Sequence, residues 1–251
     1  MARNLIRAVL TDLGDTLVHL SRPWDDVFQD NLQSLYAYLR GEGLISAFDE
    51  FSKIFIRGFE SASAVSHFYK IEIPIQDIVV TTLRKTKLRP LSEDFVDGAV
   101  MEFYRPEIAA WQLYPDTVET LTTLQESGFD LGLISNTKSE WAVQAILDKH
   151  GLRKFFKVIV TSAALRKRKP RPDPFTEALR ALGARATESV FVGDSLQADI
   201  LGARSIGIRS IHVLRKPLEH PLLVSPEATV NSLREAAKQI AQWNGVRSGL
   251  S

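Results

Sequence analysis

Cysteine is absent from the 251 residues of this chain, which excludes disulfides, thiolate metal sites and a cysteine nucleophile. Histidine is scarce. His19, His67, His150, His212 and His220 are the only five, and no two stand at the i, i+4 spacing of a metal-binding helix, so a zinc site is not expected. An excess of one charge is missing as well. Lys and Arg total 31 against 30 Asp and Glu, and a net charge of +1 gives no global field to attract nucleic acid or an anionic membrane. No stretch approaches the roughly 18 unbroken apolar residues of a membrane helix. The first apolar run meets Asp12 too early for a signal peptide. These absences predict a soluble, cytoplasmic protein with neither a nucleic-acid nor a membrane partner. What is present is ordinary globular composition, 45% hydrophobic and 24% charged. At roughly 150 residues per domain, the length corresponds to one or two domains.

Five short apolar runs read as strands: Ile6–Leu10, Leu131–Ile134, Val158–Thr161, Val190–Val192 and Arg209–Val213. They show little alternation, the pattern of strands covered on both faces in a parallel sheet. Helical patterns at Trp141–His150, Pro174–Ala184 and Ala198–Ser205 separate the last four, which implies an α/β layer fold with right-handed crossovers. The first two strands are separated by about 90 residues of a different kind. Val27–Leu39, Phe48–Phe59, Ile75–Leu83 and Asp94–Tyr104 carry apolar residues at helical spacing, with Gly41, Gly43, Pro74 and Pro90 as breakers. This is an all-helical insertion after the first strand. A further helix from Pro115 to Gln125 leads into the second strand.

In an open parallel sheet, ligands bind beyond the carboxyl ends of the strands. There the first run ends in Thr11-Asp12-Leu13-Gly14-Asp15-Thr16 and the second in Ser135-Asn136. Lys169-Pro170 follows the third, and the fourth ends in Gly193-Asp194-Ser195 with Asp199 beyond. A carboxylate, a hydroxyl, an ammonium and a carboxylate pair on one edge suit phosphoryl transfer. A carboxylate can attack phosphorus, Mg²⁺ takes carboxylate oxygens, and Lys with a hydroxyl can neutralise and hold phosphate oxygens.

The segments VLTDLGDTL, LGLISNT, RKPRPDPFTEAL and VFVGDSLQADILGARSIGI resemble, in order, the four motifs of the haloacid dehalogenase-like hydrolase superfamily, and they span Val9 to Ile211. The resemblance implies a three-layer, Rossmann-like parallel-sheet core from residues 1–18 and 114–251, with an inserted all-helical cap domain, residues 19–113, that selects substrate. It implies a Mg²⁺-dependent phosphatase acting on a small phosphorylated metabolite through an aspartyl-phosphate. Asp12 matches the nucleophile, Ser135 and the adjoining Asn136 the phosphate-binding position, and Lys169 the lysine that steadies both. Asp194 and Asp199 match the metal-site acids, and the metal set is completed by Asp12 and the carbonyl of Gly14.

Gly14 is also the departure from the pattern. Phosphatases of this superfamily usually carry there a second Asp that protonates the leaving group and then activates water. Here the acid comes one place later, at Asp15, where strand alternation points it away. A turn at Gly14 would re-aim it, so Asp15 is kept as a candidate catalytic group. Loss of a general acid typically costs about 10²–10⁴ in rate, so a slow phosphatase, or one for good leaving groups, is expected.

Three rivals share these residues: a metal-free haloacid dehalogenase, a phosphonatase using a cap lysine (Lys53, Lys70, Lys85 or Lys87), and a phosphate-binding or regulatory protein with little turnover. The acid pair Asp194 and Asp199 argues against the first. The basic run Arg166–Arg171 reads as solvated apart from Lys169. His19 reads as a hinge residue. Ser66–Lys70 are candidate substrate contacts, with Phe68 and Tyr69 equally explained by packing. Trp24, Trp111 and Trp243 read as packing at domain or helix surfaces. No heptad seam or interface stripe chooses between monomer and homodimer.

Overall fold

The computed structural model describes residues 5–43, 47–85, 92–215 and 224–245. Lys87, Pro90 and His220 lie outside them. In chain order the elements are β1 (Ala8–Thr11), β2 (Val18–Leu20), α1 (Trp24–Gly41), α2 (Phe48–Tyr69), α3 (Ile75–Lys85), α4 (Glu93–Ala110), β3 (Trp111–Leu113), α5 (Thr117–Glu126) and β4 (Asp130–Ser135). Then come α6 (Glu140–Lys149), β5 (Val158–Thr161), α7 (Ser162–Leu165), α8 (Pro172–Leu182), β6 (Ser189–Gly193), α9 (Leu201–Ser205), β7 (Arg209–Val213), β8 (Ala228–Val230) and α10 (Leu233–Trp243).

Six strands form one parallel sheet in the order β5-β4-β1-β6-β7-β8. β1 is fully buried and lies between β4 and β6. Later strands were added outward on both sides of it, so the strand order reverses there, and a crevice opens beyond its carboxyl end. Helices cover both faces, giving three layers. On one face Leu121, Leu124, Ile146, Leu147 and Ile240 pack against Val9, Leu131 and Val190. On the other Phe175, Ala178, Leu179 and Ala203 pack against Leu10, Ile134 and Phe191.

Helices α1–α4 are inserted between β1 and β4 and have a core of their own. Leu32, Leu35 and Leu39 of α1 and Phe51 and Phe55 of α2 meet Ile75 and Leu83 of α3 and Phe103 of α4. The chain enters and leaves this helical cap along an antiparallel ribbon, β2 against β3, which pairs His19 with Gln112 and Val18 with Leu113. Among the described residues no helix is long and apolar enough to cross a membrane.

Candidate active site

The candidate residues gather at the carboxyl end of β1. Asp12 leaves the strand with its amide bonded to the Val192 carbonyl of β6 at 3.0 Å. Lys169 arrives between α7 and α8 and is almost wholly buried. Its ammonium donates to Asp12 Oδ1 at 2.6 Å and to the Ile134 carbonyl at 2.7 Å, and pairs with Asp199 Oδ1 at 2.7 Å. Burial works to lower the Lys169 pKa, but Asp12 and Asp199 together outweigh it and hold the ammonium charged.

Asp194 follows β6 and accepts from the Thr16 hydroxyl at 3.2 Å, while its carbonyl accepts from His212 Nε2 at 2.8 Å. Asp199 lies on a π-helical turn, Leu196–Ile200, a form frequent at functional sites. Its Oδ2 accepts from the Ser195 amide at 3.0 Å. Gly193 makes room for it: a Cβ there would collide with the Asp199 carboxylate.

One carboxylate oxygen from each of Asp12, Asp194 and Asp199 lies within 4.8 Å of the others. One ammonium among three carboxylates leaves excess negative charge. Burial, then the charges of Asp12, Asp199 and Asp15, pushes the Asp194 carboxyl up to about 8. Burial, together with the charge of Asp199 and against the pull of Lys169, brings Asp12 to about 6. An all-oxygen, over-negative cluster of this kind suits a hard divalent cation such as Mg²⁺.

A cavity of about 270 Å³ opens over Asp12 and includes Gly14, Asp15 and Ser135 in its lining. Ser135, last in β4, is buried there. Asn136 reaches the cavity wall but is engaged by the backbone of Lys169. Its Oδ1 accepts from the Lys169 amide at 2.8 Å and its Nδ2 donates to the Lys169 carbonyl at 3.1 Å. Asp15 lies at φ 52°, in the left-handed region, so the backbone turns there and strand alternation no longer governs its direction. Its charge is felt at Asp194, and it shares the cavity with Asp12. The described cap lysines proposed for Schiff-base chemistry, Lys53, Lys70 and Lys85, do not line the cavity.

Two residues of the site were not singled out for it in the sequence. Trp111, read as a packing residue, lies over Gly14: a Cβ on Gly14 would sit 3.3 Å from the indole Cη2. Glu107, also in the cavity wall, is buried. Its Oε1 accepts from Trp111 Nε1 at 3.3 Å and its Oε2 from Asn31 Nδ2 at 3.1 Å. The sequence did carry a signal. Buried positions of α4 run 96, 99, 100, 103, 104, 107 and 110, so a carboxyl at 107 stands on an apolar stripe.

A three-layer parallel sheet with a carboxylate–lysine pair at its topological switch point, under a helical cap, defines a hydrolase-type α/β enzyme. The chain belongs to the haloacid dehalogenase-like hydrolase family, whose model matches residues 6–207. It is 29% identical over 218 residues to a glyceraldehyde 3-phosphate phosphatase of Methanopyrus kandleri, covering 84% of this chain and 85% of that one. Among solved structures, the fold matches a 2-haloacid dehalogenase of Pseudomonas syringae pv. tomato (TM-score 0.67, 23% identity, 95% of this chain and 100% of that one). It also matches a phosphatase of the same superfamily from Thermococcus onnurineus (TM-score 0.64, 23% identity, 97% of this chain and 100% of that one).

Proposed function

We propose that this protein is a Mg²⁺-dependent phosphatase of a small phosphorylated metabolite, working through an aspartyl-phosphate on Asp12. The observation that carries this reading is the Asp12–Lys169 pair set beside Asp194 and Asp199. The phosphatase named above, similar along most of its length, supports it. A metal-free dehalogenase would leave the Asp194 carboxylate without a task.

In this reading Asp12, Asp194 and the Gly14 carbonyl would hold Mg²⁺, and the ion would supply positive charge to the phosphate oxygens. Asp199 belongs to the same acidic cluster and steadies Lys169 with one oxygen. Asp12 attacks phosphorus while Lys169 neutralises charge on a phosphate oxygen and keeps the nucleophile oriented. The Ser135 hydroxyl donates to a second oxygen, and Asn136 fixes the loop that carries Lys169. Water then releases phosphate from Asp12. Position 14 has no side chain to protonate the leaving oxygen, which weakens acid catalysis from that place. The remaining carboxyls of the cavity wall are Asp15 and Glu107.

The test is hydrolysis of p-nitrophenyl phosphate and acetyl phosphate, with Mg²⁺ or with EDTA. Wild type should turn over only with Mg²⁺, and Asp12→Asn should lose activity while binding vanadate and remaining folded. EDTA-insensitive turnover, or hydrolysis of a 2-haloacid in place of phosphate esters, would overturn the reading.

A further inference from the structure

The carboxyl missing at position 14 has a counterpart on the cap side of the cavity. The Trp111 indole lies close beside position 14, since a Cβ on Gly14 would stand 3.3 Å from Cη2. The indole nitrogen in turn holds Glu107 Oε1. Asn31 of α1 grips the same residue twice, donating to Oε2 and accepting from the Glu107 amide at 3.1 Å. Each carboxyl oxygen accepts one of these bonds and keeps a further lone pair or a proton, and the residue lines the cavity. A buried carboxylate with only neutral partners is costly, so this environment favours the protonated acid.

We propose that Glu107 is the general acid of this site, donating its proton to the leaving oxygen and then, as carboxylate, taking one from the attacking water. The inference rests on the phosphatase reading above. In the first step the Asp12 oxygen–phosphorus bond forms, the phosphorus–leaving-oxygen bond breaks, and the Glu107 proton goes to the departing alkoxide. In the second, water attacks phosphorus and gives a proton to Glu107. The phosphorus–Asp12 bond breaks, and phosphate leaves with both side chains restored.

Burial pushes the Glu107 carboxyl up to about 7 against the opposing hydrogen bonds of Trp111 and Asn31, which suits a group that must give and take a proton near neutrality. The groups around it are neutral Asn31 and Trp111, and Tyr104 one turn earlier, kept protonated by burial and by the charges of Glu107 and Glu72. Asp12 and Asp15 lie in the shared cavity.

The experiment compares kcat/KM on glycerol phosphate, whose alkoxide needs a proton, and on p-nitrophenyl phosphate, whose phenolate does not. kcat/KM reports through phosphoryl transfer to Asp12, so slow water attack does not blur it. Glu107→Gln should lose about 100-fold or more on the alkyl ester and under about fivefold on the aryl ester, and Glu107→Asp should recover part of the alkyl activity. Wild-type alkyl activity should fall above about pH 7, and this limb should vanish in Glu107→Gln. Asp15→Asn should affect both esters equally. Equal losses on both esters in Glu107→Gln, or selective alkyl loss in Asp15→Asn instead, would overturn the assignment while leaving the phosphatase reading intact. Wild-type turnover that survives Asp12→Asn would overturn that reading and the assignment with it.

Discussion

At the scale of single residues, Glu107 makes a prediction that does not need catalysis. Its carboxyl titrates at about 7 in the folded protein against an ordinary value of 4.5, because burial disfavours the charged form. The native state therefore holds a proton that the unfolded chain gives up. Stability is unaffected below about pH 4.5, falls as pH rises to about 7, and is then lower by about 3 kcal/mol. Glu107→Gln removes this titration. Denaturant unfolding at pH 5 and pH 8 should show wild type losing about 2–3 kcal/mol relative to the variant, and a pH-independent difference would mean that the carboxyl is not held in this desolvated state. Asp12, Lys169 and Asp194 were legible in the sequence because each follows an apolar run short enough to be a buried strand or its loop. Glu107 was not, because the helical spacing is read only over Asp94–Tyr104 and Glu107 lies beyond it. The helix continues through Pro106, and the next amide donates to Asn31, a long-range partner that local spacing does not reveal.

At the scale of elements, the end of α4 is held from outside the cap. The Lys149 ammonium of α6 donates to the carbonyls of Ile108 and Ala109 and to that of Trp111, at 2.7–2.8 Å. The first two belong to the last turn of α4, whose carbonyls a helix terminus leaves without partners, and a cation there also complements the helix dipole. Lys149→Met keeps the stem but removes the ammonium from Ile108 and Ala109, while the Trp111 carbonyl keeps His150 Nε2 at 3.0 Å. It should lower stability by about 1–2 kcal/mol, read from denaturant midpoints, and Lys149→Arg should restore part of it. A neutral effect of the Met variant would show that water replaces the ammonium without loss. The five strands of the apolar runs are readable because they are mostly buried and, apart from Arg209–Val213 with its Ser210 and His212, are Val-, Ile- and Leu-rich. β2 and β3 leave no strand signal because each is three residues long and carries a polar residue, His19 or Gln112, at its centre. β8 is equally short, and α10 presents Ala236 and Ala237 in the middle of its buried stripe, which dilutes the apolar signal.

At the scale of the whole molecule, the cap is joined to the core by more than its ribbon. Glu72, between α2 and α3, is almost fully buried and accepts from Lys138 at 3.2 Å and from the Ser162 hydroxyl at 2.8 Å. Arg168 lies 3.4 Å from its second oxygen. Around it the backbone is stitched across the boundary: the Glu72 amide donates to the Arg166 carbonyl, the Arg168 amide to Lys70, and the Ile75 amide to Lys138. Arg166–Asp77 adds an exposed pair, which contributes little on its own. Because Lys138 follows Ser135-Asn136 and Arg168 precedes Lys169, this strap ties the cap to the two loops that carry the candidate phosphate contacts. Glu72→Gln keeps the shape and removes the charge, leaving two cations without their buried partner, a loss that ranks among the more damaging kinds. Hydrogen exchange at the amides of Glu72, Ile75 and Arg168 should accelerate by about tenfold or more, while that of β1 and β4 stays near wild type, because local opening needs only the strap to part. Acceleration spread evenly over strap and central strands would mean that the cap and core open only together, and that Glu72 supports the whole fold rather than a separable closure.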